Sequence, residues 1–354
     1  MKQPALGVAS SVLVIAVSLG FIALFAFPIF ATWVAFLTIC FIPMQIVISV
    51  TWGCKHPEFA AKRSQPAKGL LLTLLALAVG AIVAVVHFTT VGGRVNPPPP
   101  MLAMCIISSV IITFWLAIMW GGWPFTKLIK SPVAAGLVML VACYAINYLL
   151  FRLLFDYGFM RGAPVYVPSL DPHGLFNAWD ALVFYLTVIA VMFLSLNFDL
   201  WPFTASPALM RQPVLGIVWT ATILASGGLV FYLVVGALKM DVVSFMVRVP
   251  IPFIFGTIIV LNMMHGSLFG RLTQPLKGAL NSIASAAIGT ALALLYGALA
   301  PVITGVVKPG PPGYDFEIWL ASALLAVTFP FLILYAEFFK MWPLHKESGS
   351  TPQA

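Results

Sequence analysis

The chain reads as an all-α polytopic membrane protein. Ten transmembrane helices are expected, set out as five parallel-repeat helical hairpins with both termini on the cytoplasmic side. Three observations predict this. Hydrophobic residues make up 62% of the sequence and charged residues 8%, and mean hydropathy is +1.06, beyond the range of a soluble domain. A short phrase recurs: Gln3-Pro4 to Gly7, Gln65-Pro66 to Gly69, Ser131-Pro132 to Gly136, Gln212-Pro213 to Gly216 and Gln274-Pro275 to Gly278. A second phrase closes each unit, at Trp52-Gly53, Trp123-Pro124, Trp201-Pro202, Phe269-Gly270 and Trp342-Pro343. Internal repeats of this kind constrain architecture before any single residue does.

Between the two phrases lie two apolar runs each time, about 5–26, 29–51, 68–90, 101–121, 133–154, 178–199, 214–237, 249–268, 276–301 and 317–339. Each is long enough to cross roughly 30 Å of hydrocarbon as a helix. The period-2 alternation of a membrane barrel is absent, and an open sheet facing lipid is excluded because its edges would go unpaired. The opening residues have a basic start and an apolar run like a signal peptide. That run is too long for one and includes a copy of the repeat, so a retained helix is expected.

The phrases have a physical reading as punctuation. Proline presets helical φ and suits a first helical position, while glycine one turn later admits a close helix crossing. Tryptophan suits the interface where a helix leaves the bilayer. Pro66 and Pro213 stand 147 residues apart, and Pro132 and Pro275 stand 143 apart. This spacing predicts a first hairpin at 1–62, two four-helix blocks at 63–209 and 210–345, and a disordered tail at 346–354. In the ninth helix Ser285, Gly289, Ala293 and Gly297 recur every four residues. Such a stripe allows close backbone approach, and a central position is expected for this helix. Pro43, Pro252 and Pro330 fall inside the second, eighth and tenth helices, where each permits a kink.

Net charge is +8, and its distribution follows topology. Twelve of the 18 basic residues fall on the side of the Gln-Pro phrases and the termini. Such an excess in short loops marks the cytoplasmic side of an inner membrane. Nucleic acid is therefore not an expected partner. The four cysteines stand alone, without a CxxC pair, and read as small core residues.

Aspartate, glutamate, lysine and arginine keep to loops and to within about two turns of helix ends. That excludes a midplane proton relay, a voltage sensor and a Schiff-base lysine. Depths of His87 and His265 differ by roughly 20 Å at 1.5 Å per residue, too far for two ligands on one haem iron. No cofactor is identified. Asp171-Pro172-His173 offers two metal ligands, fewer than a complete site needs, so no metal is assigned.

The expected function is a transporter or channel-like permease for a small neutral or weakly polar or apolar solute, in a lipid bilayer. Asn147, Asn262, Asn281 and His265 are its candidate solute contacts. Arg152, Asp171, His173 and Asp180 are candidates at the mouth opposite the Gln-Pro phrases. One alternative is a membrane subunit that contacts quinone or anchors an outer-face enzyme, which leaves open a homo-oligomer or a partner subunit. Another is a membrane enzyme acting on lipid through His173; no catalytic constellation supports it.

Overall fold

Every backbone amide in hydrocarbon needs an internal partner, and each apolar run accordingly closes as a helix. The structure, a computed structural model, describes residues 1–305 and 307–345; the expected tail at 346–354 lies outside them. Ten helices are long and apolar enough to span a membrane: α1 (Ala5–Ile22), α2 (Phe27–Thr51), α3 (Ala67–Thr90), α4 (Pro100–Met119), α5 (Pro132–Leu154), α6 (Ala178–Asn197), α7 (Val214–Ala237), α8 (Val242–Met263), α9 (Leu276–Thr304) and α10 (Asp315–Phe338). A two-residue parallel pairing of Phe155–Asp156 (β1) with Phe176–Asn177 (β2) ties together the ends of the loop between α5 and α6.

The helices divide into two layers by parity. Between 50% and 72% of each even-numbered span is buried, against 22% to 39% of each odd-numbered one. The even-numbered helices form a closed inner ring: α2 packs on α4, α4 on α6, α6 on α8, α8 on α10, and α10 back on α2. Each odd-numbered helix fills an outer groove between two ring members. Helix α1 lies over α8 and α10, α3 over α10 and α2, α5 over α2 and α4, α7 over α4 and α6, and α9 over α6 and α8. An outer helix thus covers the two inner helices that precede its own partner in the ring. Its exposed face carries apolar side chains such as Leu74, Val141 and Leu294, which suit contact with lipid.

One kind of joint makes these groove contacts. Gln3 Nε2 donates to the carbonyl of Met263 at 3.0 Å, Gln65 to Phe338 at 2.7 Å, Gln212 to Met119 at 2.8 Å and Gln274 to Asn197 at 3.4 Å. Those acceptors are the last residues of α8, α10, α4 and α6. In each case the amide oxygen takes the N–H of the phrase's own glycine, at Gly7, Gly69, Gly216 and Gly278. In the third unit Ser131 caps Ala134 N at 3.3 Å, and Trp52 Nε1 donates to Pro132 O at 2.9 Å. A Cβ on any of the five glycines would collide with the neighbouring chain at Met263, Phe339, Trp52, Trp120 or Phe198. The glycines are therefore contact residues. Pro4, Pro66, Pro213 and Pro275 sit one position before the first helical residue, and only Pro132 occupies the first helical position expected from sequence.

Every inner helix ends the same way. Two consecutive residues turn into the left-handed region: Gly53 and Cys54, Gly121 and Gly122, Asp199 and Leu200, His265 and Gly266, Lys340 and Met341. In α4, α6, α8 and α10 the last carbonyl before this double turn is the one that the incoming Gln-Pro phrase reaches.

The prolines inside α2, α8 and α10 are handled differently. Helix α2 is interrupted at Phe41 ahead of Pro43, and α8 at Val249, where φ is −124° and ψ −75°. In α10 a widened π-helical stretch over Ser322–Thr328 precedes Pro330. The looser register leaves room for a ring that would otherwise crowd the carbonyl one turn back. The ninth helix is not central. It is the least buried of the ten spans, at 22%. Its small stripe makes the close contact with α8, where Gly256 meets the Ser285 backbone and Gly289 meets Pro252, and Gly297 at its far end lies against Phe316 of α10.

Candidate functional site

An axial cavity lies inside the ring, with a volume of about 40 Å³. All five inner helices contribute to it, through Ile39, Ile107, Ile189, Ile254 and Leu325 among others, and every lining residue is aliphatic or phenylalanine. Phe114 stacks edge-on against Phe193 with ring centroids 5.6 Å apart and against Phe329 at 5.9 Å. These three rings come from α4, α6 and α10, and they narrow the axis. A water needs about 10–15 Å³ and two or more polar partners. The volume suffices and the partners are missing, so this chamber favours a dry state.

Polar groups on the inner helices turn away from the axis. Ser108, Ser109 and Thr113 return their hydroxyls to carbonyls of their own helix at 2.7–2.9 Å. Tyr296 and Thr328 share a hydrogen bond of 2.7 Å between α9 and α10. Asn197 Nδ2 lies 3.4 Å from both Thr257 Oγ1 and Ser285 Oγ, joining α6, α8 and α9.

The eight residues singled out from sequence separate into three places, and none lines the axial cavity. Asn147 is buried on α5 and donates to Cys105 O on α4 at 2.9 Å. Asn281 is buried on α9, and neither of its amide atoms has a hydrogen-bond partner among the described residues. At the Gln-Pro end, Asn262 donates to Glu337 Oε1 at 3.3 Å, and His265 occupies the left-handed turn after α8 with φ +52°.

The other four lie at the opposite end. Arg152 is exposed in the last turn of α5, and Asp180 is half-buried in the first turn of α6. Asp171 and His173 come together, and the fold adds Asp156 to them. Ligand atoms of these three lie within 4.8 Å of one another. Asp156 was not legible as a member, because β1–β2 pairing across a loop brings it there.

Asp171 is buried, and its oxygens are committed to the loop. Oδ1 accepts from Tyr157 N at 3.2 Å and His173 N at 3.0 Å, and Oδ2 accepts from the Tyr166 hydroxyl at 2.9 Å. Burial alone would raise its pKa; those donors outweigh burial and hold it below the usual carboxylate value. The His173 ring approaches at 3.4 Å. The arrangement is a folded loop corner.

Loops from separate hairpins also meet at this end. Tyr314 donates its hydroxyl to Asp241 Oδ2 at 2.7 Å, and its ring lies 6.3 Å from that of Trp179. Desolvation and the neighbouring carboxylate push the Tyr314 phenol up to about 12.

Two features escaped sequence reasoning. The phenylalanines of the axis are indistinguishable by composition from those facing lipid. The shared position of Gly53, Gly121, Asp199, His265 and Lys340 had a signal, since each directly follows an aromatic residue or methionine that stands one position past the end of its helix. Comparison of the chain with protein-family models, with curated proteins and with solved structures gave no match.

Proposed function

We propose that this chain is a channel-like permease of the cytoplasmic membrane. Its passage follows the axis of the inner ring, and its solute is small and neutral or weakly polar to apolar. The observation that carries the reading is the closed ring of five helices around a chamber lined only by apolar side chains. Hydrophobic constrictions of this type gate by dewetting: they resist ions and pass solutes that give up little hydration. The phenylalanine cluster of Phe114, Phe193 and Phe329 is the gate in this reading.

The five hairpins are copies of one parallel module, and both termini face the cytoplasm, where most of the Lys and Arg residues fall. Residues 63–209 and 210–345 are two four-helix blocks. The first hairpin, 1–62, closes the ring between them, in keeping with α2 packing on α4 of one block and α10 of the other. Arg152, Asp171, His173 and Asp180 belong to the far mouth, and Asn147 and Asn262 tie together the helices around the passage.

Reconstitution tests the reading. Proteoliposomes should equilibrate at least one of ammonia, urea and glycerol faster than empty vesicles while remaining tight to potassium. Equal rates with and without protein for all three would remove it.

A further inference from the structure

A second cavity, of about 340 Å³, opens at the Gln-Pro end of the α8–α10 groove, under the start of α1. Its walls include Lys2, His265, Lys340 and His345. Glu337, which is not among those walls, lies beside one of them: its Oε2 is 3.1 Å from Lys340 Nζ, and its Oε1 accepts from Asn262. Lys2 has no carboxylate partner among the described residues. The walls thus hold two lysines and two histidines, of which only Lys340 has a carboxylate neighbour, and the cavity carries an excess of lysine charge and of N–H donors.

The backbone gives a second, independent reason to single out this place. His265 and Lys340 occupy the first left-handed position after their helices, with φ of +52° and +50°. In the corresponding turns after α2 and α4 that position is Gly53 and Gly121, which adopt it without a Cβ penalty. After α6 it is Asp199, whose carboxylate is held by Gln274 and Lys277 at 2.9 and 2.7 Å. Only in the α1 groove do two side chains with N–H donors, an imidazole and an ammonium, stand at strained positions on both flanking helices. Strain of this type is retained where the surroundings use the side chain.

We propose that this cavity binds a phosphate-bearing anion. Lysine serves as a point-charge phosphate ligand, and basic clusters at a membrane surface hold anionic headgroups. The cavity sits at the end of a groove whose outer helix faces lipid, so the phosphate can come from a lipid headgroup or from a soluble compound. The proposal does not depend on permeation through the axis.

The test uses the full chain in nanodiscs of phosphatidylcholine, with and without phosphatidylglycerol. Retained phosphatidylglycerol is counted by native mass spectrometry, and pyrophosphate binding is measured separately by calorimetry. The variants are Lys2→Gln, at an exposed position, and the double substitution His265→Gly with Lys340→Gly, which supplies the residue the turn favours and so preserves the fold. Loss of the Lys340 ammonium and the His265 imidazole should weaken binding about tenfold. Binding of phosphatidylglycerol alone identifies a lipid site, and binding of pyrophosphate identifies a soluble ligand. The proposal is overturned if wild type binds neither, or if the folded double variant binds as tightly as wild type.

Discussion

At the residue scale the glutamines of the Gln-Pro phrases carry more than punctuation. Each one closes its own helix start with Oε1 and a neighbouring helix end with Nε2. Replacing Gln212 by alanine leaves Gly216 N and Met119 O unpartnered, and a loss of about 1–2 kcal/mol in stability is expected. Thermal unfolding in detergent measures it, with the exposed-site substitution Thr222→Ala as a control that should move little. Asp171 supplies a pH signature. Its pKa is depressed in the folded loop, so its stabilising contribution is complete above the unfolded value of about 3.9 and fades as pH falls through the lower folded value. Amide hydrogen exchange at Tyr157 and His173 should stay protected down to about pH 4 and open below it. Asp171→Ala should expose both amides at neutral pH. Opening of the wild-type loop above about pH 5 would contradict this assignment.

At the element scale the informative contact is α8 against α9. The small stripe on α9 was legible as a close crossing, and it is one, yet the helix lies on the rim. Small residues report how near two backbones approach and nothing about which helix is central. Hydropathy gives no help, because a face buried in protein and a face bathed in lipid are equally apolar. Gly289→Ala would drive a Cβ into Pro252. A cost above about 3 kcal/mol is expected, because this contact is backbone on backbone and cannot repack. Gly20→Ala meets nothing within 4 Å and should be neutral or stabilising by up to about 1 kcal/mol. A difference in folded yield between these two variants, read by size-exclusion chromatography, checks the packing. Equal yields would refute it.

At the scale of the whole molecule, the ten spans and their approximate limits were legible, since length and hydropathy alone decide which runs can cross a bilayer. The ring was not. Its closure depends on α2 meeting α10, and on outer helices, four of which dock on inner helices distant in sequence through one glutamine and one carbonyl, a pairing that leaves no local pattern. The candidate site shows the same limit. Polar residues draw attention in an apolar sequence, and four of the eight singled out, Asn147, Asn262, Asp171 and His173, join helices or fold a loop, whereas the axis is lined by aliphatic residues and phenylalanine. The claim on which the functional account stands is that solute crosses along this axis, past the rings of Phe114 and Phe329. Stopped-flow permeability of proteoliposomes carrying Phe114→Ala with Phe329→Ala, compared with wild type and with the lipid-facing control Leu294→Ala, tests it most directly. A several-fold rise for the axial double variant and an unchanged rate for Leu294→Ala are predicted. Equal permeability in all three, with the proteins folded, would contradict it.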